Sequence, residues 1–489
     1  MNTTIIWFRK DLRLKDNPAL QAALQAQSPI IPVYIYEPVG GKWPIGSASK
    51  WWLHHSLKSL QKSLRDIGSD LLILNGDPEQ ALIKLCKQTN ASHVFWNHCY
   101  EPRAIKCDIN IKRALKKQQI NNRSFNSSLL SEPWDSVKDN GTPYRVFTAF
   151  WKTMQRRGIY LYQHKSPGQL IPIPKQIKKK CKTSIDDLKL LPQTRWDTGF
   201  NQHWKPGEQG ALEQLQRFLE NPILDYPTHR DIPALSDTSC LSPHLHFGEI
   251  SPWLIWQSTE SCALSNMQPG SIKACDIFLR QLGWRDFAHH LLYHFPKTQS
   301  QPLDQRFKSF PWKNSSKTLR RWQQGQTGIP IVDAGMRELW HTGGMHNRVR
   351  MIVASLLTKN LLIPWQQGAK WFWDTLVDAD LANNTMGWQW TAGCGADAAP
   401  YFRIFNPVRQ GERFDPDGSY VRRWVPELKS MPSKLIHRPW EATPEQLALA
   451  SVELGKDYPL PIVDLQQSRQ RALSIWNDIK FLEKQKPKL

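Results

Sequence analysis

The first 130 residues alternate short apolar runs with helical patterns, and this alternation constrains the fold more than any other feature of the chain. Residues 5–9, 30–36, 71–74 and 94–97 have the composition of buried strands, whereas residues 17–24, 47–67 and 78–86 have helical periodicity. Because a helix separates each strand from the next, the strands are expected to pair in parallel within a doubly wound sheet. Ligands of such sheets bind at the carboxyl ends of the strands, although no GxGxxG motif follows the first strand here.

The composition changes after this region. Residues 131–205 are rich in proline and include a run of five lysines at 175–182, which we interpret as a solvated loop in preference to a DNA contact. From residue 206 to the end, helical periodicity predominates and strand signals are sparse. The sequence therefore predicts an α/β domain at 1–130, an interdomain connector at 131–205 and an all-α domain at 206–489.

Length, apolar runs and cysteines limit the class of protein. No run of 18 or more apolar residues occurs among the 489, and the N-terminus has no basic region followed by an apolar one, so we expect neither a membrane span nor secretion. The eight cysteines are scattered and form no CxxC pair, which argues against a zinc site or a disulfide framework. We expect a cytoplasmic monomer without a metal.

Charge and tryptophan content indicate the kind of partner. The net charge of +21 and the pI near 9.6 favour a polyanion, most plausibly nucleic acid, although basicity could also serve solubility alone. The chain has 23 Trp and only 11 Tyr. Surplus indoles can stack on bases, bind a flat cofactor or carry electrons, although most of them must be core residues.

One helical segment combines acids with two tryptophans. At about 100° per residue, Asp380, Asn384 and Trp388 share one stripe, while Trp390 faces elsewhere. A plain core helix with two buried tryptophans would avoid the acids at 378 and 380. This segment is therefore a candidate site that offers a carboxylate, an amide and an indole to one partner.

This segment and its continuation DAAPYFRIFNP at 397–407 closely resemble the photolyase/cryptochrome flavoprotein family. The resemblance covers almost the whole chain, through IWFRKDLR at 6–13, WWLHHSL at 51–57, TSCLSP at 238–243, GWRDF at 283–287, GIPIVDAGMR at 328–337 and WVPEL at 424–428. The motifs WPIGSASKWW at 43–52 and GADAA at 395–399 are most similar to the class III branch, bacterial relatives of plant cryptochromes.

The resemblance implies a light-driven lyase that repairs cyclobutane pyrimidine dimers in UV-damaged DNA. It implies a Rossmann-like antenna domain, a connector and a helical domain that binds FAD, which is active in its reduced anionic form. Hydroxyls at 238, 239 and 242 would suit the FAD pyrophosphate, an Arg350–Asp378 ion pair would lie beside the flavin, and Asn384 would face flavin N5. The implied FAD-binding residues are Tyr226, Thr238, Ser239, Leu241, Ser242, Phe278, Gln281, Arg285, Asn347, Arg350, Asp378, Asp380 and Asn384.

The same resemblance assigns residues to the lesion. Trp284 and Trp390 match two indoles that enclose a flipped-out dimer, which needs flat apolar walls to replace its lost stacking. The implied DNA-contacting and lesion-contacting residues are Arg230, Gln281, Trp284, Asn347, Arg348, Met351 and Trp390. The sequence HN at 346–347 replaces the His pair of (6-4) photolyases. Gln281 stands where the family usually has Glu, so we expect retained binding with a lower repair yield, and Gly344 stands where the motif has Trp.

Electron supply and light harvesting are also implied. Trp388, Trp365 and Trp312 match the three tryptophans that carry electrons to the flavin, the alternative being three unrelated core indoles. Asn97 and Glu101 match contacts of a folate antenna, so we expect 5,10-methenyltetrahydrofolate rather than 8-hydroxy-5-deazaflavin. The alternative is that Glu101 is an exposed loop acid beside an empty crevice.

Two other functions stay open at this stage. A cryptochrome photoreceptor would use light without repairing DNA, and plant-type receptors usually have a long C-terminal extension that this sequence lacks. A DASH-type photolyase would act on single strands only.

Overall fold

The computed structural model describes residues 2–38, 41–159, 166–265, 268–398, 400–401 and 403–484. Two residues of the motif at 397–407, Ala399 and Phe402, lie outside the described residues.

Five parallel strands form the sheet of the N-terminal domain. They are β1 (Thr3–Phe8), β2 (Ile30–Tyr36), β3 (Leu72–Asn75), β4 (Ala91–Asn97) and β5 (Asn121–Phe125), in the spatial order β3-β2-β1-β4-β5. Every residue of β1 is buried, as expected for a central parallel strand with both faces covered. The chain first adds strands on one side of β1 and then on the other, so a crevice opens at the carboxyl ends of β1 and β4. This architecture confirms the predicted doubly wound sheet.

Four helices cover this sheet: α1 (Pro18–Gln25), α2 (Ser47–Asp66), α3 (Pro78–Thr89) and α4 (Pro102–Lys117). Asn17 caps α1 by accepting a hydrogen bond from the Leu20 amide, and Asp77 caps α3 in the same way. The patterns did not predict α4 or β5. The sequence of β5, NNRSF, is polar because this edge strand is only partly buried.

The rest of the chain is helical. The helices are α5 (Phe147–Arg157), α6 (Lys175–Lys180), α7 (Phe200–His203), α8 (Glu208–Glu220), α9 (Pro222–His229), α10 (Ser242–Phe247), α11 (Pro252–Ser265), α12 (Ser271–His294), α13 (Ser316–Gln323), α14 (Pro330–Thr342), α15 (Asn347–Ser355), α16 (Trp365–Thr375), α17 (Leu381–Ala392), α18 (Pro407–Phe414), α19 (Ser419–Trp424), α20 (Pro444–Leu449) and α21 (Leu465–Lys484). The α/β plus all-α architecture is therefore confirmed. None of the described helices is long and apolar enough to cross a membrane.

The segment predicted as a surface connector contributes to both hydrophobic cores. Phe147, Phe150 and Trp151 of α5 are buried against the helical domain, whereas Leu170 and Ile177 pack against the α/β domain. The lysine run forms the short helix α6 rather than a loop. The sequence did not show this because proline-rich composition masked the apolar positions of α5.

Buried polar contacts fix the helical domain against the sheet. The Arg13 guanidinium donates to the Gly248 carbonyl at 2.9 Å, and Trp52 Nε1 donates to Glu249 Oε1 at 2.9 Å. These bonds hold the end of α10 at the edge of the crevice. All eight cysteines are free thiols.

Candidate active site

A cavity of about 610 Å³ lies among α10, α12, α15, α16 and α17. It collects residues from segments more than 150 positions apart, which no local pattern could have shown. The predicted residues that line it are Arg230, Ser239, Leu241, Ser242, Phe278, Gln281, Trp284, Arg285, Asn347, Arg348, Arg350, Met351, Asp378, Asp380, Asn384, Trp388 and Trp390.

One wall carries the expected ion pair. Arg350 Nη2 donates to both carboxylate oxygens of Asp378, at 3.1 and 2.9 Å, and the Ser242 hydroxyl donates to the same carboxylate. Arg350 Nε also donates to the Met345 carbonyl at 2.8 Å, so the guanidinium is held from two sides. This pair places fixed, oriented charge on the cavity surface.

Asp380 is the N-cap of α17, and its buried carboxylate accepts from the Asn383 amide at 2.8 Å. Two histidines face it, with Nε2 of His289 at 3.5 Å and Nδ1 of His246 at 3.7 Å. Burial alone would raise the pKa of Asp380, but these imidazoles and Lys10 outweigh it and hold the pKa well below its usual value. This lowered pKa favours the ionised form of Asp380 at the cavity wall.

Side chains of α17 form another wall. Asn384 Nδ2 donates to the Ala369 carbonyl at 3.0 Å, which fixes the orientation of the amide. The Trp388 ring packs on Gly368 of α16, where a Cβ atom would lie 2.0 Å from Trp388 Cη2. Trp390 also lines this cavity, together with Trp388. The cavity curves around the helix and so meets more than one of its faces.

Aromatic and basic side chains surround the mouth. Trp284 stacks on Phe147 with ring centroids 3.7 Å apart and planes 10° apart. Gln281 Nε2 donates to the Ile277 carbonyl at 3.0 Å, and Gln281 Oε1 accepts from Arg230 Nη2 at 3.3 Å. These contacts present a flat ring, an amide and a cation at one opening.

Two residues expected to bind FAD do not line the cavity. Tyr226 is buried behind its wall with the Arg230 guanidinium over its ring, 5.2 Å from the centroid, and Thr238 Oγ1 lies 3.6 Å from Cys240 Sγ. Conversely, the sequence did not single out His246, Met386 or Gly387, which do line the cavity. Their position within four residues of predicted contacts was the only available signal.

Gly344 stands beside an indole from a different segment. A Cβ atom at Gly344 would meet Trp204 Cζ2 at 2.9 Å, and Trp204 Nε1 donates to the Thr342 carbonyl at 2.7 Å. Trp204 therefore fills the space next to this glycine, at the position where the family motif has Trp.

The three expected electron carriers lie at different depths. Trp388 and Trp365 are 2% and 1% exposed, whereas Trp312 is partly exposed next to Phe310, with ring centroids 4.3 Å apart. Trp322 is also fully buried, and its ring centroid lies 6.1 Å from that of Trp388. The sequence did not distinguish this fourth indole from the rest of the core.

A second cavity of about 480 Å³ occupies the crevice at the carboxyl ends of β1, β2 and β4. Glu101 lines it and forms an ion pair with Lys10, which lowers the carboxyl pKa although burial alone would raise it. The structure corrects the expectation for Asn97, whose buried amide donates to Asp11 and to Asn17 at 2.6 and 2.8 Å and does not line the crevice. His246 lines both cavities and separates them.

Comparisons with known proteins agree with this architecture. Residues 278–478 match the family model described as the FAD binding domain of DNA photolyase, and residues 4–170 match that of DNA photolyase. The chain is 47% identical to the deoxyribodipyrimidine photo-lyase of Agrobacterium fabrum over 97% of this chain and 98% of that protein. It is 39% identical to cryptochrome-1 of Arabidopsis thaliana over 96% of this chain and 69% of that protein.

A solved structure gives the same result. The crystal structure of a bacterial class III photolyase from Agrobacterium tumefaciens matches with a TM-score of 0.93 and 45% identity, covering 98% of each chain. The resemblance inferred from the motifs is thereby confirmed. This chain belongs to the photolyase/cryptochrome family.

Proposed function

We propose that this protein is a light-driven DNA photolyase that splits cyclobutane pyrimidine dimers. The observation that carries the proposal is that a single cavity combines the Arg350–Asp378 ion pair with the two indoles of Trp284 and Trp390. The ion pair suits a flavin that carries negative charge, and the two indoles suit an extruded dimer of adjacent pyrimidines that has lost its stacking.

The residues of the cavity fit FAD. Its volume of about 610 Å³ falls within the usual range for cofactor sites, and Leu241 and Phe278 provide apolar surface. Ser239 and Ser242 supply hydroxyls, and the fixed amide of Asn384 supplies an oriented dipole. When bound, reduced FAD supplies the light absorption and the electron that is lent to the dimer and returned.

The protein contributes binding, orientation and exclusion of water. Trp284, held flat by Phe147, and Trp390 enclose the dimer, while the Gln281 amide hydrogen-bonds a base carbonyl. Arg230 and Arg348 provide positive charge for the flanking phosphates. Arg348 is paired with Asp231 at 2.7 Å, so part of its charge is already balanced.

A dimer-repair assay in duplex and in single-stranded DNA tests the proposal. We expect light-dependent restoration of both substrates by the reduced protein, and Trp284→Ala should abolish the preference for damaged over intact duplex. Flavin photochemistry without dimer splitting would instead support a cryptochrome photoreceptor. Repair confined to single strands would support a DASH-type enzyme.

Trp388, Trp365 and Trp312 are proposed to supply electrons to the flavin. The decrease in burial from Trp388 to Trp312 supports a path that ends at solvent. Trp388→Phe should block blue-light reduction of the oxidised flavin, while chemically reduced protein still repairs. Trp322→Phe is the matched control, because it removes a neighbouring indole outside the proposed path. Normal photoreduction by the Trp388 variant would refute the path.

The second cavity is proposed to hold an antenna, 5,10-methenyltetrahydrofolate in preference to 8-hydroxy-5-deazaflavin. Aromatic side chains including Trp7, Trp43 and Trp373 line it, and Glu101 and Lys10 provide hydrogen-bonding groups. Reconstitution with the folate should add a near-ultraviolet absorption band and sensitise flavin reduction at that wavelength. A band with deazaflavin alone would overturn this assignment and leave the repair assignment intact.

A further inference from the structure

A basic groove lies in the α/β domain and shares no residue with the two cavities described above. It has a volume of about 660 Å³ and lies between the C-terminal half of α2, the edge strand β3 and the segment around α6. Lys58, Lys62 and Arg65 follow one another at helical spacing on one face of α2 and form one wall. Lys178 and Lys182, from the lysine run, form the other wall.

Two contacts fix the lysine run against the α/β domain. Ile177 is buried in the core of the α/β domain, and Lys178 Nζ donates to Asp70 at 3.0 Å. These contacts hold the run in place, so its remaining lysines project from an ordered surface rather than from a solvated loop.

Ion pairs neutralise only part of the charge in the groove. Asp70 is paired with Lys178 and Arg65, and Asp186 is paired with Lys58 at 2.9 Å. Lys62 and Lys182 form no ion pair among the described residues, and Asp66 is the third carboxylate of the lining. Five cations against three carboxylates leave the groove net positive, and the exposed Lys179 and Lys180 adjoin it.

We infer that this groove binds the phosphate backbone of nucleic acid as a second contact, separate from the lesion cavity. Its cations lie on both walls of a concave channel, where a polynucleotide strand can place phosphates between them. A flat anionic membrane would meet only the rims. The hydroxyls of Thr183 and Ser184 add donors that suit phosphate oxygens without reading sequence. The inference concerns undamaged duplex and does not depend on dimer repair.

The salt dependence of binding to a long undamaged duplex tests the inference. The variant Lys62→Gln/Lys182→Gln removes the two unpaired cations, so the slope of log affinity against log salt should fall by about 2. At about 0.1 M salt the affinity should fall by more than about 10-fold. Lys116→Gln/Lys117→Gln is the matched control, since these exposed lysines end α4 at the opposite, β5 edge of the sheet. The affinity of the control variant for the duplex should fall by less than half as much, on a logarithmic scale, as that of the Lys62/Lys182 variant.

Two further readouts separate this inference from the repair proposal. Repair of a short dimer-containing oligonucleotide should be unchanged in the Lys62/Lys182 variant, because such a substrate fills only the lesion cavity. The duplex should also protect Lys62 and Lys182 of the wild-type protein from acylation, but not Lys116. An unchanged salt slope would overturn the inference, as would absent protection. If the Lys62/Lys182 variant lost only binding to anionic lipid vesicles, the inference would also be overturned, and the groove would be a membrane-binding surface.

Discussion

Replacing the partly buried carboxyl of Glu338 should change how the free energy of unfolding depends on pH. Glu338 lies on α14, accepts a hydrogen bond from the Tyr420 hydroxyl and faces the start of α15, the helix that carries Arg350. Burial raises the pKa of Glu338 from 4.5 to about 7, although Tyr420, the His346 backbone and Arg350 oppose this rise. The folded protein therefore binds the proton more tightly than the unfolded chain does.

The sign and size of the effect follow from this difference. An acid whose pKa is raised by folding favours the folded state below its unfolded pKa, and this stability is lost as the pH rises from 4.5 towards 7. Between about pH 5 and pH 8 the loss amounts to about 2–3 kcal/mol. Glu338→Gln keeps an oxygen acceptor for Tyr420 but cannot ionise. The free energy of unfolding of the variant, relative to that of the wild type, should therefore be about 2–3 kcal/mol higher at pH 8 than at pH 5.

Denaturant unfolding of both proteins at the two pH values measures this difference directly. The comparison with wild type cancels the contributions of other buried acids, such as Asp286, whose pKa burial raises to about 7. Glu412→Gln is the control for loss of a surface carboxyl, because this side chain is 41% exposed and its ion pair with Arg438 should contribute less than about 1 kcal/mol. A Glu338→Gln difference that is equal at pH 5 and pH 8 would refute the reasoning.

Three further predictions concern the cavity. Gly387→Ala should raise the free energy of unfolding by about 0.5–1 kcal/mol, since this position in α17 has open space for a methyl group. Gly368→Ala should lower the free energy of unfolding by about 1–2 kcal/mol, because the new Cβ atom would lie 2.0 Å from Trp388 Cη2. Thermal melts compare the pair, and equal shifts would contradict the packing argument. Gln281→Glu should raise the quantum yield of repair with little change in DNA affinity, because a protonated carboxyl group can stabilise the negative charge that the dimer carries only after it accepts the electron. A yield that stays the same or falls would show that this site is compensated elsewhere. Asp378→Asn should weaken FAD retention by about 10-fold or more, because Arg350 loses its charged partner. Fluorescence of flavin released during dialysis measures this loss, and retention equal to wild type would count against it.

The sequence predicted the fold class because its signals are local and periodic. Buried parallel strands such as β1 and β4 are continuous apolar runs, and helices such as α2 repeat apolar positions every three or four residues. Where these signals were weak, the prediction failed. The edge strand β5 is polar because it is half exposed, and α5 lies in a proline-rich segment.

Motifs also predicted most of the site, since they preserve residue types whose chemistry is specific. An acid at 378 and an arginine at 350 were expected to pair, and they do so at 2.9 Å. The motif did not distinguish residues that line the cavity from residues that are buried behind its wall. The Tyr226 ring is buried beneath the Arg230 guanidinium, and the Asn97 amide is hydrogen-bonded to Asp11.

The sequence by itself therefore determined the fold class, the family and the types of residue in the cavity. Only the tertiary structure decided which of these residues share one surface. The space beside Gly344 is closed by Trp204, 140 residues away. The lysine run becomes one wall of a groove because Ile177 is buried in a core cluster that includes Leu72 of β3. Such contacts depend on packing between distant segments, and periodicity within a segment carries no information about them.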